Sequence, residues 1–439
     1  MKVAIIGGGL TGMSAAHVLS QQGVECTIFE RDGALGGLAA SFNINGARLE
    51  KFYRHLFTSD TAIVDLIEEL GLGDKMEWKA SVTSLYTHGR VYRLSTPMDV
   101  LRFSPLGFFD RIRLGMLAIW PRFIRDWKPL EEITACEWLI RMAGQRVYDV
   151  VWGPLMRAKF GSYADQVAAV WFWNKLKLRG GSRSKEQSEQ LGYMRDGFWQ
   201  LIEKLEECLR GQGVEIRLSS PVERIRIEGG QAVGVVTQGK FIPFDRVVVT
   251  VAPEALLEIA PDLPEEYAER LGKIEYLANT CLVMVLNRNL SSTYWLNIGD
   301  TDIPFVAVIE HTNFRPKSEY GGHHLVYLSR YMAADDPYYA MTPQELFRAY
   351  LPHLQNVFPE FSADWVEALY AWGERYTQPV IARHYSDLRP SLRTPVVNLW
   401  LSCMASIYPE DRGMNYAVAY GQRVAEEMLS VLEDRSRDD

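Results

Sequence analysis

The first 37 residues constrain the chain most. Lys2 to Ile6 is an apolar strand, Gly7-Gly8-Gly9-Leu10-Thr11-Gly12 follows, and a helical run reaches Gln22. A second strand from Val24 to Phe29 ends at Glu30. Each part has a physical job. Gly7 lets the chain turn tightly out of the strand. Gly9 has no side chain, so backbone can approach a pyrophosphate. Gly12 lets the helix pack close to the strand. The helix N-terminus at Leu10 and Thr11 aims unpaired N–H groups and a positive dipole end at the phosphates. Glu30 lies 18 residues past Gly12, where a carboxylate can accept both ribose hydroxyls. An acid there argues against a 2′-phosphate, and so against NADP.

The other 400 or so residues must be built around that βαβ unit. A length of 439 residues suffices for two or three domains. A net charge of −8 leaves no nucleic-acid footprint. The 12 Trp and 21 Tyr point to aromatic-lined pockets or a bulky substrate beside an aromatic core. Five scattered cysteines without pairing or metal spacing fit a reduced compartment. The chain begins in a strand, leaving no room for a signal peptide, and no run reaches about 18 apolar residues. The expected location is cytoplasmic. The eight histidines show no ligand spacing beyond the adjacent His323-His324, poor geometry for one metal, so no metal site is expected.

Along the chain, Ala39 to Leu49 reads as a hairpin turning at Asn45-Gly46, and Ser81 to Leu94 as a second around His88-Gly89. Residues 98–210 have helical periodicity punctuated by Pro105, Pro121, Pro129 and Pro154, with a polar loop over 182–190. From Val214 strands return, and the β-branched run from Asp245 to Pro253 completes a buried parallel sheet. The expected fold is α/β: a discontinuous Rossmann-like domain (1–75, 211–258, 390–439), a sheet-based substrate domain (76–97, 259–389) and a helical insertion (98–210).

Glu30-Arg31, followed by Gly36-Gly37-Leu38, resembles the extended fingerprint of two-dinucleotide-binding-domain flavoproteins, which implies FAD. Ser220-Pro-Val222-Glu-Arg-Ile225, the strand ending at Ala252-Pro253, and Gly413-Met414-Asn415-Tyr416-Ala417 follow in the order of the amine oxidase, protoporphyrinogen oxidase and phytoene desaturase superfamily, which the chain resembles over nearly its whole length. The resemblance implies that Val222 meets the adenine region through its backbone. It also implies that Gly413, Met414 and Asn415 lay a helix N-terminus against the flavin pyrimidine, where reduced flavin carries negative charge. Two features depart from the pattern. Cys403-Met404 stands where a Gly-Asp or Gly-Glu pair is usual, with Asp411 near but displaced, and the glycine-cysteine attachment site is missing, so FAD is expected to be non-covalent. Glu50 to Phe57 resembles a motif of UDP-galactopyranose mutases.

Flavin oxidation asks side chains mainly for positioning. His55, Arg375 and Tyr376 are the candidate walls of a small-molecule substrate site, with core histidine and plain strand face as rivals. Trp372 lies in the same segment. Lys159 reads as a solvated helix face, with a pocket role as the alternative. Phe109, Ile112, Met116, Ile119 and Phe123 form one stripe, with Arg111, Arg122 and Arg125 largely opposite. This stripe over 105–128 either covers the pocket or touches a membrane peripherally. The expected activity is hydride removal from an amine, porphyrinogen-like ring or polyene, with oxygen or quinone as acceptor. The alternatives are a non-redox, mutase-like flavoenzyme on a nucleotide sugar and a flavin-fold scaffold without catalysis.

Overall fold

The computed structural model describes residues 1–44, 46–181 and 189–438, and of these 180, 181 and 432–438 by backbone alone. Part of the expected Asn45-Gly46 turn and most of the 182–190 loop lie outside the described residues.

Five parallel strands form the central sheet, in the order Glu215–Arg217, Glu25–Phe29, Lys2–Ile6, Arg246–Val249, Leu399–Leu401. Val3 to Ile6 and Val247 to Val249 are buried, as apolar, largely β-branched strands covered on both faces should be. Helix Leu10–Gln21 lies against the closing helix Met414–Asp438. Their approach is set by Gly421: a Cβ there would stand 2.4 Å from the Thr11 carbonyl.

A second sheet has seven strands, in the order Val366–Pro379, Tyr276–Leu286, His324–Met332, Ala307–Glu310, Trp295–Ile298, Thr83–Thr87, Arg90–Arg93. Tyr276–Leu286 is buried from Leu277 onward because its alternating faces meet different partners. Leu282, Met284 and Leu286 pack with Leu346, Tyr350 and Leu354 of helix Pro343–Val357. Cys281, Val283 and Val285 join the core that contains Val3, Ile5 and Met13.

Two sequence expectations need adjustment. Gln190–Met194, read as part of the helical insertion, is a strand between Leu56–Phe57 and Met76–Ala80. Helix Trp199–Gly211 buries Leu201, Leu205 and Leu209 in the same core as Ala15, Ala16 and Leu19. Residues 190–211 thus pack with the dinucleotide-type unit, although their helical periodicity continues that of the insertion. The second adjustment concerns helix Phe108–Leu117 and the turn Trp120–Phe123. Only Leu114, Leu117 and Pro121 face inward. Phe109, Phe123 and Ile119 are 76%, 72% and 55% exposed, so the stripe does not cover a pocket.

Candidate active site

The two glycine loops form one cradle. The Gly36 N–H donates to the Gly8 carbonyl at 2.8 Å. Gly36 has φ +114°, a conformation that suits glycine. A Cβ on Gly37 would lie 3.3 Å from the Gly9 Cα. Between these loops and the sheet stands Glu30, buried, its Oε2 accepting the Gly8 N–H at 2.7 Å and its Oε1 the Asp32 N–H at 2.9 Å. Each oxygen keeps acceptor capacity for a ribose hydroxyl. The Ser220 N–H donates to the Glu30 carbonyl at 2.8 Å, which carries Val222 to this edge. The Thr250 hydroxyl donates to the Ile6 carbonyl at 2.9 Å, which sets Ala252 at the head of helix Pro253–Ile259. Arg31 reaches Glu374 at 3.3 Å.

Added Cβ atoms test whether a cofactor fits. At Gly12 one would stand 2.0 Å from the Gly7 carbonyl, and at Gly8 2.4 Å from Leu35. The protein's own backbone requires Gly12, whereas at Gly8 the Leu35 side chain would have to move aside. At Gly9 a Cβ would meet nothing within 4 Å. The cradle is therefore open at the helix N-terminus, a position whose unpaired N–H groups and dipole suit an anion. Gly413 and Met414 start the closing helix, whose first N–H groups lack intrahelical partners. The Asn415 Oδ1 accepts the Ile63 N–H at 3.2 Å, joining that start to helix Thr61–Glu69.

A cation-rich recess adjoins this cradle. Arg54 donates to the Leu38 carbonyl, beside Gly37, and its Nε is buried without a partner. Arg412, just before Gly413, donates to the Tyr331 hydroxyl at 2.6 Å and to Gln378 at 3.1 Å. Lys159 Nζ sits 5.3 Å from the Tyr331 ring centroid and 4.6 Å from that of Trp171. Asp411 accepts from the Trp171 indole at 2.8 Å and Gln378 at 3.1 Å and pairs with Lys175. Burial would raise the Asp411 pKa, but Lys175, Lys159 and Arg412 hold it well below the carboxylate range. Desolvation pulls Lys159 well below the usual lysine value; Asp411 opposes this, and Lys175, Arg412 and Arg179 add to the lowering. Arg54 falls to about 10, by burial and then by Arg412.

The profile described as flavin containing amine oxidoreductase matches residues 10–429. The chain belongs to the flavin-containing amine oxidoreductase family. A coproporphyrinogen III oxidase of Propionibacterium freudenreichii is 24% identical over 339 residues, 64% of this chain and 62% of that one. A 15-cis-phytoene desaturase of Arabidopsis thaliana is 23% identical over 395 residues, 83% of this chain and 68% of that one. The chain spans about three fifths of the length of the first relatives it matches. Among solved structures, reduced UDP-galactopyranose mutase has a TM-score of 0.76 at 15% identity, covering 98% of this chain and 96% of that one. That likeness shows a shared fold.

The residues that the sequence nominated have different neighbours. His55 is half-buried, its Nδ1 3.2 Å from the Tyr294 hydroxyl, with Phe57 and Trp295 edge-on at 5.3 and 5.4 Å. Burial, with Arg179 and Lys175, lowers its pKa to about 3, so it is a neutral imidazole. Arg375 pairs with Glu254 at 2.9 Å and lies beside Tyr376. Both line an open cleft of about 540 Å³ that also includes Tyr276 and Asp335. Trp372 stacks obliquely on Phe42 and carries Lys51 over its ring at 4.5 Å. Lys159 is not a solvated helix face, because aromatic rings enclose its ammonium. In this family member Asp411 serves Lys175 and Trp171, and Cys403 is buried. Arg54, Lys175, Tyr331 and Arg412 escaped sequence reading. Arg54 stands inside the quoted Glu50 to Phe57 stretch and Arg412 directly before Gly413, and those positions were the available signal.

Proposed function

We propose that the chain is an FAD-dependent oxidoreductase that binds FAD non-covalently and takes a hydride from a bulky organic substrate such as a porphyrinogen-like ring, a polyene or an amine. The observation that carries this reading is the open cradle at Gly9, bounded by Gly36, Gly37 and Glu30. Gly7, Leu10, Thr11 and Gly12 would hold the pyrophosphate end, with Glu30 on the ribose and Val222 and Ala252 along the adenosine side. Gly413, Met414 and Asn415 would face the flavin ring. Bound FAD would supply hydride acceptance. The protein's residues would orient substrate and exclude water, with His55 as a neutral wall and Arg375 and Tyr376 as the polar walls of an approach cleft. The terminal acceptor is oxygen or a quinone.

The test is direct. Purified protein should be yellow, and acid should release one intact FAD per chain. A well-folded, colourless protein that cannot be reconstituted with FAD overturns the reading. The mutase-like alternative has one observation in its favour, the cation cluster of Lys159, Arg54 and Arg412. A flavin that is reduced by no candidate donor, while a nucleotide sugar perturbs its spectrum, would favour it.

We also infer that the protein touches an anionic bilayer peripherally. No helix among the described residues is long and apolar enough to cross a membrane. Phe108, Phe109, Ile112, Met116, Trp120 and Phe123 are all exposed along helix Phe108–Leu117 and the turn after it, and Arg113, Arg122 and Arg125 of the same segment are exposed too. Apolar side chains with a basic rim suit insertion among anionic headgroups.

A further inference from the structure

The recess beside the cradle gathers more basic side chains than ion pairs. Of Arg54, Lys159, Lys175 and Arg412, only Lys175 has an ion-pair partner among the described residues, Asp411. Lys159 touches Trp171, Phe160 and Tyr331 rings but no carboxylate. Tyr331 carries Lys159 on its ring and Arg412 on its hydroxyl, so the two cations share one wall. Both are half-buried although protein strips much of their water, as happens when side chains line an inner recess. Lys159 and Arg412 share the one carboxylate that Lys175 already pairs, Asp411; desolvated cations so thinly countered cost free energy, and an acidic ligand would lower that cost.

We propose that this recess binds an acidic group, the carboxylate or phosphate of an otherwise apolar substrate, between Lys159 and Arg412. The inference rests on the oxidoreductase reading and narrows it, because the same positive field repels a protonated amine. Trp171, Phe160 and Tyr331 would receive the apolar body next to the acidic group. The groups facing Lys159 are Asp411, Lys175, Arg412 and Arg179, with Tyr331 beside them. A bound anion raises the affinity of Lys159 for its proton, so binding takes up a proton and weakens as pH rises.

Calorimetric titration of the FAD-loaded protein tests this, with naphthalenecarboxylate, naphthyl phosphate and naphthylmethylamine as matched probes. At least one anion should bind, with proton uptake, and the amine should not. Lys159→Met keeps the stem and removes the charge, and should weaken anion binding about 10- to 100-fold. Lys159→Arg should restore most of it. Arg412→Gln provides an independent second variant. Amine binding equal to or tighter than anion binding would overturn the proposal, as would anion affinity unchanged in Lys159→Met. Calorimetry reads binding whether or not flavin is present. A colourless protein that still binds the anion therefore refutes the FAD reading alone, and a yellow protein indifferent to anions refutes this proposal alone.

Discussion

Gly8 and Glu30 are joined by a 2.7 Å hydrogen bond from the glycine N–H to the carboxylate. The bond crosses from the turn after the first strand to the end of the second. It fixes the carboxylate at the edge of the open space above Gly9, where a ribose would lie. Glu30→Ala should weaken FAD binding about 10- to 100-fold by removing charge-assisted acceptors. Glu30→Gln, which keeps one acceptor, should cost less. Fluorescence-quench titration of FAD into apoprotein measures both.

Gly12 and Gly421 hold the sheet, the first helix and the closing helix together. A Cβ on either would fall within 2.4 Å of a backbone carbonyl, and backbone cannot swing aside as a side chain does. Gly12→Ala and Gly421→Ala should each destabilise the fold by about 1–3 kcal/mol, the range for overpacking. A lower Tm by calorimetry, with or without FAD, is the expected result.

His55 should leave its mark on the acid limb of stability. Its folded pKa is about 3 against 6.5 for the unbound ring, so the folded state binds fewer protons than the unfolded one. That contribution is fully present above pH 6.5 and is lost as pH falls towards 3. His311, lowered to about 3 by burial and then by Arg315, adds a second such term. His55→Gln should therefore flatten part of the stability loss between pH 6.5 and 4, read from urea midpoints across that range. An unchanged slope would mean that His55 is protonated in the fold.

The exposed apolar surface makes a separate prediction. Wild-type protein should co-sediment with phosphatidylserine vesicles, less so as salt rises. Phe109→Glu with Phe123→Glu should abolish it without lowering Tm, since both rings are already mostly exposed. Equal partitioning of the double variant would mean that this surface meets something other than lipid.

Much of the fold was legible because its signals are local. The glycine turn, the β-branched strand at 247–249 and the capped helix Pro343–Val357, with Thr342 and Glu345 as its capping box, each follow from neighbouring residues. The recess was not legible. Lys159 looks like any cation on a helix, and only the tertiary fold brings Trp171 and Tyr331 around it. Arg375 likewise gave no hint of Glu254, 121 positions away. Periodicity placed residues 190–210 with the insertion, because a helix signals its own form and not the core on which it packs.

The central claim is that the open space above Gly9 is the pyrophosphate site of FAD. Gly9 has an ordinary φ of −75° and room for a side chain, so Gly9→Val should fold normally while filling the space a phosphate needs. Titration of FAD into folded Gly9→Val and wild-type apoprotein, with circular dichroism as the folding control, tests the claim most directly. One FAD per wild-type chain and none on the variant at the same concentrations is the predicted result. Equal FAD binding by a well-folded Gly9→Val protein would contradict it.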